Sequence, residues 1–446
     1  MKLPLLSTNA ISAGASRPGE PLPRPGRLVP PVIISAVLLT ACLAPSALRA
    51  ENLAVTGDTV FTAAGAPLKN GVVLVRAGKI EAVGPAATTA IPAGYRQVHA
   101  AVVTPGLIDA HATVGLSGLL NQPQDQDVLE KSAAFQPELR ALDAYNAKDA
   151  LVAHVRSFGV TTVNTGHAPG ALSPGQTMIV KTAGRSADAD AIRASAMTSI
   201  TLGNGGLARS EGGPGGGPGG PGQKSPGTRA KAVAMLRAEL IKAQEYAKKR
   251  EAKDESKRPG RDLKYETLLR AFDGSQPLLI TAQRQQDILS ALRVAQEFHL
   301  RIILDGCADA PLVLQEIKAS GFPVILHPSM ARSFEDEENL SVETAAKLKA
   351  AGILFTLQSG YENYVPKTRV VLLEAAVAAA NGLGAEAALA SITVDAARLL
   401  GIAERTGSLV AGKDADLALY DGDPFEYTSH CTGTMIDGLL YADGPH

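Results

Sequence analysis

The segment at residues 104–115, Thr-Pro-Gly-Leu-Ile-Asp-Ala-His-Ala-Thr-Val-Gly, constrains the fold of this chain more than any other. After a Pro-Gly break, the apolar pair Leu107 and Ile108 leads into Asp109 and His111. Because side chains alternate along a strand, Asp109 and His111 point the same way. A histidine at a strand end, just before a glycine-bearing loop, suits a metal ligand at the mouth of a barrel.

Strand-like and helix-like runs alternate over residues 105–400. Residues 277–281 and 301–305 have the apolar pattern of buried strands, and residues 286–298 have the spacing of an amphipathic helix. Such alternation predicts an α/β fold, specifically a (β/α)8 TIM-type barrel. Residues 202–229 interrupt it with a Gly- and Pro-rich insertion that cannot pack a core.

Both ends of the mature chain have the character of short strands separated by turns. Residues 51–104 contain turn signals such as Ala77-Gly78, and residues 401–446 contain similar ones. Short strands separated by such turn residues predict β-hairpins.

Composition excludes several classes of protein. The chain has 446 residues and a net charge of −1, so no basic field indicates a nucleic-acid partner. Its three cysteines, Cys42, Cys307 and Cys431, have no metal-ligand spacing and are too few for a disulfide framework.

Residues 1–50 are expected to be a leader rather than part of the fold. They are rich in proline and carry five basic residues and one acidic residue. The apolar stretch at residues 32–44 is too short for a membrane span. Leu48-Arg49-Ala50 resembles a signal-peptidase site, which predicts an exported, periplasmic protein. The alternative is a lipoprotein anchored through Cys42.

Two motifs resemble the amidohydrolase superfamily, and within it the exported, imidazolonepropionase-like branch. They are Pro-Gly-Leu-Ile-Asp-Ala-His at residues 105–111 and Gly-Lys-Asp-Ala-Asp-Leu-Ala-Leu at residues 412–419. The resemblance implies a barrel over residues 105–400 and a small β-sandwich built from residues 51–104 and 401–446. It also implies a binuclear metal site held by histidines, a lysine or glutamate, and an aspartate.

Most of the metal ligands that the resemblance implies are replaced in this chain. Thr113 stands where the second histidine of strand 1 is expected, and Thr281 and Gln283 stand in place of histidines on strand 5. Gly306 occupies the histidine position of strand 6, and no aspartate follows the last strand. Of the expected set, His111 is retained.

A different set of polar residues is predicted to lie at strand ends. His111, His167 and His327 are the candidate metal ligands, and Asp305 and Lys181 are the candidate catalytic residues. If the barrel is formed, all five lie on one face. One interpretation is a rebuilt mononuclear site for Zn²⁺ or another divalent metal. The other is that no metal binds, that His111 and His327 form hydrogen bonds with backbone at strand ends, and that His167 lies in an exposed loop. Lys181 has three open roles: carboxylated bridge, substrate contact or ion-pair partner.

The sequence therefore supports two hypotheses of function. By resemblance, the protein is a metal-dependent hydrolase of non-peptide C–N bonds in small amides, cyclic amides among them. By its replaced ligands, it is a catalytically inactive barrel that binds a small molecule or acts as a subunit beside an active paralogue or a second copy.

Overall fold

A computed structural model of the chain describes residues 51–119, 122–207, 226–326, 335–361 and 370–442. All of these residues fall in one compact unit. The predicted leader, Cys42, His327 and most of the Gly-rich insertion lie outside the described residues. No helix within the described ranges is both long enough and apolar enough to cross a membrane.

In the described ranges the strands, numbered in chain order, are β1 Leu53–Val60, β2 Leu68–Arg76, β3 Lys79–Pro85, β4 Arg96–Pro105, β5 Leu107–Ala112, β6 Val160–Thr165, β7 Gly175–Gln176, β8 Met178–Lys181, β9 Ala191–Arg193, β10 Thr198–Thr201, β11 Leu278–Ala282, β12 Ile302–Gly306, β13 Val324–Leu326, β14 Phe355–Leu357, β15 Leu417–Tyr420, β16 Cys431–Ile436 and β17 Leu439–Tyr441. The α-helices are α1 Ala150–Arg156, α2 Ala187–Asp190, α3 Arg229–Arg250, α4 Leu263–Phe272, α5 Gln285–Phe298, α6 Leu314–Ser320, α7 Thr344–Ala350, α8 Val371–Ala378, α9 Ala385–Ser391 and α10 Val394–Leu399.

Both chain ends contribute to one seven-stranded sheet, in the order β17-β16-β15-β4-β1-β2-β3. Ala77 and Gly78 both have positive φ, which is the geometry of a two-residue turn between β2 and β3. A composite domain made from both ends was expected, and this sheet agrees with that part. In the described residues its strands form one continuous sheet, whereas a sandwich of two sheets was predicted. The exact domain boundaries stay a prediction.

Parallel strands form the rest of the strand core. β10 to β14 pair in parallel in chain order, and β5 pairs in parallel with β6. A parallel bridge between Ala112 and Gly360 brings β5 beside the chain just after β14. The carboxyl ends of these strands therefore lie at one end of the fold.

The described strands do not close an eight-stranded parallel barrel, so this part of the fold prediction is corrected. β8 runs antiparallel to β6, and β7 runs antiparallel to β10. The physical reason is that the connection from β6 to β8, over residues 166–177, contains no helix. Parallel neighbours need a crossover of a dozen or more residues, which usually contains a helix that packs on the sheet.

Helix α3 covers the strands with one apolar face. Thr228 caps its first turn, since its hydroxyl accepts a hydrogen bond from the backbone N–H of Lys231 at 3.3 Å. The buried residues are spaced three or four apart, as a single helix face requires: Ala232, Leu236, Leu240, Ala243 and Tyr246.

Candidate active site

A carboxylate at the carboxyl end of β12 forms the centre of the candidate site. Asp305 is fully buried, and its Oδ1 accepts hydrogen bonds from His111 Nδ1 and Gln358 Nε2, each at 2.9 Å. Its Oδ2 accepts a hydrogen bond from Thr281 Oγ1 at 2.7 Å. The donors come from β5, β11 and the residue after β14, so Asp305 links strands that are far apart in the sequence.

His111 and Asp305 form a buried, hydrogen-bonded pair. Burial lowers the pKa of His111, but the charge and hydrogen bond of Asp305 outweigh burial and raise that pKa above its ordinary value. The ring of Tyr361 lies 5.4 Å from the imidazole, measured between centroids. Among the described residues, His111 Nε2 is buried and has no hydrogen-bond partner.

A second buried carboxylate, Asp109, joins β5 to the chain after β14. It accepts hydrogen bonds from the backbone N–H of Ser359 at 3.0 Å and from the Ser359 hydroxyl. The backbone N–H of His111 also donates to it, at 3.4 Å. Asp109 thus binds backbone N–H groups of its own strand and of the chain after β14.

We expect Asp109 to make stability depend on pH. Burial raises its pKa to about 6, and the hydrogen bonds from Ser359 only partly oppose this. The folded protein therefore holds this proton more tightly than the unfolded chain, whose aspartates have a pKa near 3.9. The contribution to stability is fully present below about pH 3.9 and is lost as the pH rises through about 6.

The size of this loss is about 2–3 kcal/mol, at about 1.4 kcal/mol per pKa unit. Chemical unfolding at pH 4, 5, 6 and 7 should show it as a difference between wild type and Asp109→Asn, whose side chain does not titrate. The charges of Asp109 and His111 shift each other's pKa, so the difference between the two proteins measures the coupled pair rather than Asp109 alone. Asp58→Asn is the control, because the Asp58 side chain is 66% exposed. Its free energy of unfolding should change with pH in the same way as that of wild type. The prediction would be contradicted if the free energy of unfolding of Asp109→Asn changed with pH in the same way as that of wild type.

The positions where metal-binding histidines were expected have other hydrogen-bonding roles. The hydroxyl of Thr113 lies 3.0 Å from that of Ser117 and closes a short loop. Gly306 has a φ of +85°, and a Cβ at this position would lie 2.7 Å from Gln283 Oε1. The Gln283 side chain therefore fills the space beside Gly306.

These side chains do not fit a binuclear metal centre. The oxygens of Asp305 already accept three protein hydrogen bonds, and threonine, glutamine and glycine are poor metal ligands. Within the described ranges, no three His, Cys, Asp or Glu side chains are grouped so that they could hold a metal ion.

The structure brings together only some of the predicted site residues. His167 follows β6 at the same end of the fold as His111; it is buried, and burial lowers its pKa. It does not join a three-residue group with His111 and Asp305. His327 lies outside the described residues, so the three-histidine set stays a prediction.

The predicted location of Lys181 is wrong. Because β8 runs antiparallel to β6, Lys181 pairs with Thr162 near the start of β6, whereas the residues around His111 pair near its end. Lys181 is buried and forms ion pairs with three carboxylates of the C-terminal segment, Asp414, Asp416 and Asp437. Of its three open roles, the structure supports the ion-pair partner.

Sequence reasoning missed Gln283 and Gln358. A fully buried aspartate requires hydrogen-bond donors. This requirement was the one available indication that a donor such as the Gln358 amide should face Asp305. Nothing in the local sequence of Gln283 indicates that it fills the space beside Gly306.

Comparison with known proteins agrees with this architecture. The sequence pattern of the amidohydrolase family matches residues 323–440. The chain is similar to the crystal structure of an amidohydrolase from Thermotoga maritima MSB8, with 26% identity, a TM-score of 0.78, and 87% of this chain and 99% of that one covered. A zinc-bound adenosine deaminase from Xanthomonas campestris shares the fold at 15% identity and a TM-score of 0.51, with coverage of 88% and 93%.

A curated relative matches over a shorter region. Amidohydrolase tasK of Hapsidospora irregularis is 39% identical over 84 residues, which are 19% of this chain and 9% of that protein. The chain thus spans about a tenth of the length of that relative. Residues 323–440 thus match the amidohydrolase family, and the described fold is a mixed α/β fold whose similar solved structures include amidohydrolases.

Proposed function

We propose that this protein binds small amides, cyclic amides among them, at the carboxyl ends of its parallel strands, and does not carry out hydrolysis at a binuclear metal centre. The observation that carries the proposal is the hydrogen bonding of Asp305. Protein donors occupy three of the roughly four lone-pair sites of the Asp305 carboxylate, which leaves it little capacity to bind a pair of metal ions. The fold similarity to amidohydrolases supports the amide as the class of ligand.

Metal content provides the first test. The purified protein, expressed with metal supplementation, should hold less than roughly half an equivalent of tightly bound Zn²⁺, Mn²⁺ or Fe²⁺. Plasma mass spectrometry measures this, with a His111→Ala/His327→Ala double variant as the control. Near one equivalent in wild type, lost in the double variant, would instead support a rebuilt mononuclear site.

One observation favours a second candidate function, hydrolysis without a metal. His111 Nε2 is buried and unpartnered among the described residues, while Asp305 holds Nδ1. A carboxylate that orients an imidazole in this way is a common arrangement for acid–base catalysis. This candidate requires amide turnover that resists chelators and disappears in His111→Gln. Binding without turnover would favour the first candidate.

Three further elements of the proposal rest on sequence resemblance. They are membership of the imidazolonepropionase-like branch, export to the periplasm as a soluble or Cys42-anchored protein, and association with a paralogue or a second copy.

A further inference from the structure

A polar cavity of about 360 Å³ lies beside the candidate site and shares no residue with the Asp305 hydrogen bonds. It opens where β10 and β11 end and where helices α3 and α5 begin. Its lining residues are Asn204, Arg229, Arg284, Gln286, Glu335 and Asp336.

The two arginines of this cavity are fixed in place by ion pairs. Arg229 Nε lies 3.0 Å from each carboxylate oxygen of Asp287, and its Nη2 donates to Asp336 at 2.8 Å. Arg284 pairs with Glu338 and donates from Nη2 to the backbone carbonyl of Glu335 at 3.0 Å. Side chains held in this way lose little entropy when a ligand binds.

Donor groups nevertheless stay available at the cavity. In the described part of the chain, neither Arg229 Nη1 nor the Gln286 amide forms a hydrogen bond, and Arg284 Nε is 3.7 Å from its nearest carboxylate oxygen, too far for one. Arg229 is the first residue of α3, and Gln286 is the second of α5. Helix N-termini favour partial negative charge, so the donors and the two termini together suit a ligand oxygen.

The charge balance indicates that this oxygen belongs to a neutral group. Arg229 and Arg284 are already paired with Asp287, Asp336 and Glu338, and Glu335 also lines the cavity, so acidic side chains outnumber the two arginines here. A ligand carboxylate would be repelled by these acids, whereas a carbonyl oxygen would not. The Glu335 carboxylate can accept a hydrogen bond from a ligand N–H. An amide has such a group, whereas an ester or a ketone does not, so the cavity favours an amide.

We propose that this cavity binds the neutral amide group of a small molecule. The amide carbonyl accepts hydrogen bonds from Arg229, Arg284 and Gln286, and the amide N–H donates to Glu335. This inference rests on the proposed function and assigns its amide-recognition residues.

Titration calorimetry on the full chain can test this, with 2-pyrrolidinone as the neutral lactam and its 5-carboxylate as the matched anion. We expect the neutral lactam to bind at least about tenfold more tightly than the anion, since the carboxylate meets like charge. Gln286→Ala should weaken lactam binding about fivefold, the effect of one neutral hydrogen bond. Arg284→Met should weaken it about tenfold or more. Gln285→Ala is the matched control, because Gln285 is also exposed but does not line the cavity.

The outcomes separate this inference from the proposed function. Lactam binding that is weakened by Gln286→Ala and unchanged by Gln285→Ala supports the cavity. Binding that neither Gln286→Ala nor Arg284→Met alters overturns the cavity and leaves the proposed function standing. Tighter binding of the anion overturns the assignment of a neutral ligand. If no small lactam or open-chain amide binds the wild type, the proposed function fails as well.

Discussion

Replacing Lys181 with methionine should lower the free energy of unfolding by about 3–5 kcal/mol, which is the usual cost of removing one partner from a buried ion pair. Lys181 Nζ lies 2.8 Å from Asp414 and 3.1 Å from Asp416, and it also pairs with Asp437. The Lys181 side chain is 2% exposed and those of Asp414 and Asp416 are 3% and 0% exposed. Methionine keeps the bulk of the side chain but leaves two buried carboxylates without their shared cation.

The pKa values of these carboxylates have the same physical origin. Burial raises the pKa of Asp414, but hydrogen bonds from Lys181 and Lys79 outweigh burial and hold that pKa at about 2. For Asp416, burial is the larger effect and raises the pKa despite the charge of Lys181. Without Lys181, both carboxyl groups would be still more costly to ionise inside the fold.

Lys79→Met provides the matched control. Lys79 also pairs with Asp414, but its side chain is 54% exposed, and exposed ion pairs contribute about 0–1 kcal/mol. Chemical unfolding of wild type and both variants at pH 7 and low ionic strength measures the difference. Similar losses for the two lysines would contradict the interpretation that Lys181 is a buried structural cation. Lys181→Met should also leave amide binding unchanged in the fraction that folds, because Lys181 lies at the opposite end of the strands from Asp305.

Strands and helices could be predicted from the sequence where the apolar pattern is strong. The helix expected at residues 286–298 is observed as Gln285–Phe298, and the strand expected at residues 301–305 is observed as Ile302–Gly306. Strand direction is harder to predict, because the same apolar pattern is compatible with parallel and with antiparallel pairing. The connection between β6 and β8 has no helix, so β8 returns antiparallel to β6 and Lys181 lies at the opposite end of the strands from the end that the eightfold repeat predicts.

The candidate site shows a similar limit. His111 and Asp305 were each predicted at a strand end, but they are 194 residues apart in sequence. Their contact depends on the register of several strands, which local patterns do not specify. The bonds to Thr281 and Gln358 depend on the same register. Residue type alone therefore identified candidates without revealing that the carboxylate binds the imidazole.

Restoring the histidine that the amidohydrolase resemblance implies at position 306 should destabilise the protein by about 3 kcal/mol and should not create a metal site. Gly306 has a φ of +85°, which costs a residue with a Cβ about 1–2 kcal/mol. A new Cβ would also lie 2.7 Å from Gln283 Oε1, and overpacking of a buried site costs about 1–3 kcal/mol. Gln283 cannot move freely, because it accepts a hydrogen bond from the backbone N–H of Ala308 at 3.1 Å.

Gly306→Ala distinguishes the effects of backbone strain and of overpacking against Gln283 from any effect of the imidazole itself. It introduces the same Cβ at the same φ, so it should lose most of what Gly306→His loses in chemical unfolding. Gln283→Ala removes the overpacking but also the acceptor of the Ala308 N–H, so the single Gln283→Ala variant completes a double-mutant cycle. The coupling free energy from that cycle should be about half of the loss, and the remainder is the backbone part. Metal content should stay below roughly half an equivalent throughout. A Gly306→His protein as stable as wild type that gains one equivalent of zinc would show that the site still accepts a metal, and that the Asp305 hydrogen bonds yield to it.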